Sequence, residues 1–270
     1  MALSSTSKLA ALFPREDELR CDLAALSAHL LLLTAFALLC AGILSPAVFM
    51  VVGLCAYVRN FNALHEGSHA RRSAWNPLRK LNMLVMIVHS PFQLGYRELA
   101  RNHRLHHAYP RDVDHDPDAS LNSGHWYRAA PNASVQPELS ALQYLRRVGK
   151  LDAGLRWGFV YNCAMISALV ALGGANIVWW IAVTRLGSTA TWFIFDWILH
   201  HPRVYDGPEP RPVFRRIGWL WSLMFSRANF NATRFHALHH RFPAVADNSL
   251  PALARLLAER ARGVAHRSAA

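Results

Sequence analysis

The chain reads as an all-α integral membrane protein, with four transmembrane helices in two hairpins and a cytoplasmic helical cap that carries its histidines. Three observations predict this. Hydrophobic residues make up 53% of 270, yet the formal charge is +12, a pairing foreign to most soluble domains. Four apolar runs reach the ~20 residues that cross a bilayer. And the basic residues gather on one side of those runs. A nucleic-acid binder would also be basic, but it leaves the apolar runs unexplained; no nucleic-acid partner is expected.

The first run spans roughly 23–44, and the second follows Pro46 to about Leu64. The third covers 157–173 and the fourth 176–199. The short turns Ser45-Pro46 and Gly173-Gly174 join them in pairs. A signal peptide is excluded for the first run, because a second span follows at once and no basic start leads into a short apolar core. Three Lys and Arg precede residue 23, fourteen lie between Arg59 and Arg156, and eleven follow His200, while the two short turns carry none. By the positive-inside rule, both termini and the central stretch face the cytoplasm.

The chain therefore divides, as one domain over 1–270, into a cytoplasmic start (1–22) and a first hairpin (23–65). A cytoplasmic region (66–154), a second hairpin (155–200) and a final cytoplasmic region (201–270) follow. Arg185 is the exception inside the fourth run. It must snorkel or pair, or else the span begins near Thr184 with 176–181 interfacial. Residues 81–94 are too short to span and read as an interfacial or re-entrant helix. The four cysteines form no C-x-x-C pair, which argues against a disulfide framework or zinc ribbon.

Three histidine boxes carry the chemistry. The first is His65-Glu66-Gly67-Ser68-His69, the second His103-Arg104-Leu105-His106-His107, the third His236-Ala237-Leu238-His239-His240. On a helix, residues three or four apart share a face, so each box aims at least two imidazoles at one point. Neutral imidazole ligates iron, zinc or copper. Eight imidazoles are too many for one ion and suit two. His29, His89, His125, His201 and His266 stand alone and read as ordinary core or surface residues. The first box also satisfies H-E-x-x-H, the zinc protease signature with Glu66 as base, but that reading leaves six clustered histidines idle.

The boxes, their order and the paired spans resemble the membrane fatty acid desaturase superfamily over roughly residues 46–251. That superfamily includes acyl desaturases, hydroxylases and carotenoid ketolases. His115-Asp116-Pro117-Asp118 is similar to the D-P-D that trails the second box in such proteins, and Arg241-Phe242-Pro243 to the H-H-x-x-P of the third. The resemblance implies a ninth ligand, His200, with Asp196 one turn before it in place of an Asn. Asp196 then ligates, holds a water, or orients His200; His201 is the competing residue. It further implies two iron ions, O2 as co-substrate, and attack on an unactivated C–H bond.

A fatty acyl desaturase or hydroxylase is the leading expectation and a carotenoid ketolase or hydroxylase the alternative. The length of 121–152 favours the first. The substrate is expected to be a membrane lipid or an acyl chain on a carrier. No stretch reads as a fused redox module, so electrons must come from a separate donor such as ferredoxin or cytochrome b5. Basic residues such as Arg71, Arg72, Arg79 and Lys80 are candidates for docking it. The acidic run from Asp112 to Asp118 reads either as solvated loop or as partners to ligand imidazoles.

Overall fold

Asp17 and Ser45 set the starts of the first two long helices. The Asp17 carboxylate accepts from the backbone N–H groups of Leu19 and Arg20, opening α1 (Glu18–Cys40), five residues before the apolar run begins. The Ser45 hydroxyl accepts from Val48 N–H, and Pro46 occupies the first helical position of α2 (Pro46–His69). α2 runs past its apolar stretch, so His65 and His69 sit on its last turns. The computed structural model describes residue 9 and residues 11–121, 125–200, 218–223 and 225–268, with side chains as far as residue 262.

Beyond α2 come α3 (Tyr96–Ala108), α4 (Trp126–Ser134), α5 (Gln136–Val148), α6 (Ala153–Gly173) and α7 (Ile177–Trp192). A π-helical turn (Phe193–Ile198) continues α7, and α8 (Arg227–Arg234), α9 (His236–Arg241) and α10 (Leu250–Ser268) close the chain. The all-helical reading is borne out, with no strand among the described residues. Three helical stretches are long and apolar enough to cross a membrane: Glu18–Cys40, Pro46–His69 and Ala153–Ile198. The last, at 46 residues, is interrupted after Gly173 by Gly174, whose φ of +51° suits glycine.

α1 and α2 lie against each other, and α7 packs on α2 where glycines allow close approach. Val183 occupies the space a Cβ on Gly53 would need, and Tyr57 the space beside Gly187. Such small-residue contacts suit helices that meet in lipid. Phe36, Phe49, Tyr57, Trp180 and Val183 fill this core. The start of α6 touches α5 through Leu155, Ala141 and Tyr144, whereas Gly173 at its end abuts Phe36 of α1.

Two expectations meet a physical outcome here. Arg185 pairs: its guanidinium binds both carboxylate oxygens of Glu138 on α5, and Nη1 also donates to the Ser134 carbonyl at 3.0 Å. Residues 81–94, by contrast, do not form the expected helix. A 3-10 turn covers Asn82–Val85, and an irregular segment follows to Gly95. Buried side chains satisfy its backbone. Asn60 Nδ2 donates to the Val85 carbonyl (2.6 Å), Gln93 Nε2 to Ile87 (3.1 Å) and the Trp180 indole to Val88 (3.0 Å). Irregular backbone is tolerated at such depth only when supplied with partners in this way.

Candidate metal centre

Each H-x-x-H-H box divides its histidines between two clusters. His103 and His107, one turn apart on α3, join His65 and His69 of α2 and His239 of α9. One ring nitrogen from each of these five lies within 4.8 Å of all the others. His106 faces the other way and meets His200 and His240, and His236 Nε2 completes that group at 3.1 Å from His200 Nε2. The third box thus repeats the second: its i, i+4 pair serves one cluster and its middle histidine the other. The clusters abut where the His107 and His240 rings stack at 4.1 Å.

The structure therefore brings together all eight box histidines and His200. His201 lies outside the described residues, as does the side chain of His266. Of the remaining single histidines, His29 behaves as a core residue, its Nδ1 2.7 Å from the Leu84 carbonyl, and His125 is exposed.

The donor set fits metal ions. The Nε2 atoms of His69, His103 and His107 stand 2.9–3.1 Å apart in a closed triangle. Three nitrogens set at right angles about one ion, each about 2.1 Å from it, are about 3.0 Å apart, whereas tetrahedral placement spreads them to about 3.4 Å. His239 Nε2 is buried without a hydrogen-bond partner, as a lone pair reserved for a cation would be. Burial, reinforced by neighbouring imidazoles, pushes His103, His107 and His236 well below the ordinary histidine range, keeping them neutral and able to ligate.

Carboxylates orient the rings from behind. His106 Nδ1 lies 2.9 Å from Asp116 Oδ1, and His239 Nδ1 3.0 Å from Asp247 Oδ1. Asp116 is fixed in turn by the backbone N–H groups of Arg111 and Asp118, both at 2.8 Å. Burial pulls the His106 imidazole down, but the Asp116 bond and the charges of Asp196 and Asp118 outweigh it and lift it to about 9. Burial raises the Asp118 carboxyl to about 6, although His106 opposes the shift. A buried nest of three carboxylates around one imidazole calls for positive charge.

Asp196 divides its functions between backbone and side chain. Its carbonyl, 2.9 Å from His200 Nδ1, holds that ring. Its carboxylate stands 3.8 Å from His106 Nε2, on the cluster side. The acidic run divides as well: Asp116 and Asp118 are buried toward His106, while Asp112 is exposed and bonded to His115. Asp247 was not legible in advance, because nothing in its spacing from the third box marks it.

A largely apolar cavity leads to the centre. Near the imidazoles it is lined by His65, His103, Phe61, Leu64, Leu99 and Trp192. The last four also line its continuation, which reaches Tyr57, Ile87 and His89. On the other side, Ser68 and Ala100 border a wide polar cleft flanked by Arg72, Lys80, Arg97 and Arg104.

A helical protein with membrane-length apolar segments and two abutting imidazole clusters is a membrane metalloprotein by construction. Residues 41–268 match the family model for fatty acid desaturases. The chain belongs to the fatty acid desaturase family, a membrane-bound oxidoreductase family. Comparison with curated proteins and with solved structures gives no match.

Proposed function

We propose that the protein is an O2-dependent di-iron oxidoreductase acting on an unactivated C–H bond of a lipid chain, as a fatty acyl desaturase or hydroxylase. The observation that carries this is the apolar cavity that begins at His65 and His103 and runs on past Phe61, Leu64, Leu99 and Trp192. His65, His69, His103, His107 and His239 would hold one iron, and His106, His200, His236 and His240, with Asp196, the other. Bound iron supplies the activation of dioxygen, which takes two hydrogens from the chain, with two electrons and two protons from a donor, and leaves as two waters.

The chain's own residues do the positioning. Asp116, Asp247 and the Asp196 carbonyl fix three imidazoles so that their Nε2 atoms turn inward. Phe61 and Trp192, in edge contact at 5.1 Å, wall the cavity and exclude water from the reacting carbon. The right-angle spacing of the His69, His103 and His107 nitrogens favours such a centre over the closed tetrahedral zinc of a protease. The basic cleft beside Ser68 and Ala100 suits an anionic head group, which an acyl thioester or phospholipid carries and a carotenoid lacks. That contrast favours the acyl reading over the carotenoid one.

The same reading places both termini and all boxes on the cytoplasmic side, with four spans in two hairpins. The contacts of α6 support it, since its start meets α5 and its end meets α1. A separate carrier such as ferredoxin or cytochrome b5 would deliver electrons at the basic surface around Arg146, Arg147 and Lys150. Two measurements test the proposal. Metal analysis of purified protein should give two irons per chain, and one zinc would overturn it. Expression in a host with lipid and carotenoid profiling should give a new double bond or hydroxyl in the acyl pool, whereas a new keto group among carotenoids would move the substrate.

A further inference from the structure

His89 is the polar residue of the cavity that its surroundings leave over. The other polar groups in the lining are engaged. Asn60 donates to Ala25 and Val85 and accepts from Ile87. Gln93 accepts from His89 N–H and donates to Ile87. Ser140 accepts from Gln136, and the Tyr57 hydroxyl meets Ser188. The His89 ring is different: Nδ1 and Nε2 are both shielded from solvent, and neither has a partner at hydrogen-bond geometry. The backbone of Ile87 lies beside the ring, but its carbonyl already accepts from Gln93 and can serve one nitrogen at most.

A buried, unsatisfied imidazole is costly, so something entering the cavity must complete it. Water alone is poorly placed, since a buried water needs two to four polar partners and the neighbouring ones are taken. Burial pulls the ring down to about 4, which leaves it neutral. A neutral imidazole offers one donor and one acceptor, matching a hydroxyl or carbonyl oxygen better than a carboxylate.

We infer that the lipid chain accepted by this cavity carries an oxygen function, a hydroxyl or carbonyl, that hydrogen-bonds His89 beyond the reacting carbon. Its distance from the centre follows from α2. Tyr57, whose ring lies 5.9 Å from that of His89, is eight residues from His65, or about 12 Å along the helix. His89 therefore sets which oxygenated chain is held and in what register, which rests on the acyl reading above and narrows it.

Binding to the purified full-length protein, read by tryptophan quenching, tests this, since Trp192 lines the same cavity. The probes are stearic acid and a series of monohydroxystearic acids with the hydroxyl moved along the chain. One positional isomer should bind about tenfold tighter than stearic acid, a difference of about 1.4 kcal/mol. His89→Leu should erase that preference while stearic acid binds at least as well, and His89→Gln should retain part of it. Equal affinity for all probes in the wild type, or an unchanged preference in His89→Leu, overturns the inference. Iron content measured on the same samples keeps the two claims apart. Loss of iron with the preference intact would count against the di-iron reading alone, and two irons without preference against His89 alone.

Discussion

Asp247 and Asp116 serve different clusters, so neutralising each should release a different ion. The Asp247 carboxylate lies 3.0 Å from His239 Nδ1, both side chains almost fully buried. Asp247→Asn keeps an acceptor of nearly the same shape but removes the charge, and hydrogen bonds to charged groups are about twice as strong as neutral ones. Loss of such an outer partner typically weakens metal affinity by about 10–100-fold, equivalent to about 1.4–2.7 kcal/mol. Iron per chain should be measured after dialysis against graded chelator. At a concentration where the wild type keeps two ions, Asp247→Asn should keep one. Asp116→Asn should also keep one, and the double variant none. Retention of both ions in Asp247→Asn, or their loss together in either single variant, would refute the division into two clusters.

Other outcomes follow from the same geometry. His106→Ala should abolish activity and empty the four-imidazole cluster, while the protein still inserts and elutes as folded material on size-exclusion chromatography. Glu138→Ala leaves Arg185 without its carboxylate in an apolar setting and should lower stability by about 2–3 kcal/mol, seen as an earlier thermal transition. Burial raises the Glu138 carboxyl, but the Arg185 pairing outweighs it and holds the group below its ordinary range. Its stabilisation is therefore complete above the usual glutamate value and fades as pH falls through the lowered one. A melting series from neutral to acid pH should show this loss in the wild type and not in Glu138→Gln. A Cβ at Gly187 would stand 2.5 Å from the Tyr57 ring. Gly187→Ala should thus cost about 1–3 kcal/mol and push Tyr57 into the cavity, shortening the longest chain accepted in a substrate series.

Much of the centre was legible because helix geometry is local. Residues four apart share a face, so H-x-x-H-H had to aim His103 with His107 and His236 with His240. The same rule turns the middle histidine about a quarter turn away, which is why two ions were the economical reading. What escaped depends on contacts distant in sequence. Arg185 looked like a charge stranded in a span because Glu138, 47 residues earlier, carries no mark of its partner. Residues 81–94 looked helical from their apolar length alone. Their backbone is instead satisfied by Asn60, Gln93 and Trp180, and only the folded chain shows that three side chains can take over from a helix ladder.

The π-helical turn at Phe193–Ile198 makes the length of this segment matter as much as the identity of its histidine. A wider turn of this kind accommodates one residue beyond regular winding and is common at functional sites. Removing any one residue between 193 and 198 would let the helix rewind, rotating everything after it by about 100°. His200 would then swing off the imidazole cluster although no ligand had been substituted. A one-codon deletion that preserves every histidine should therefore be as damaging as losing one.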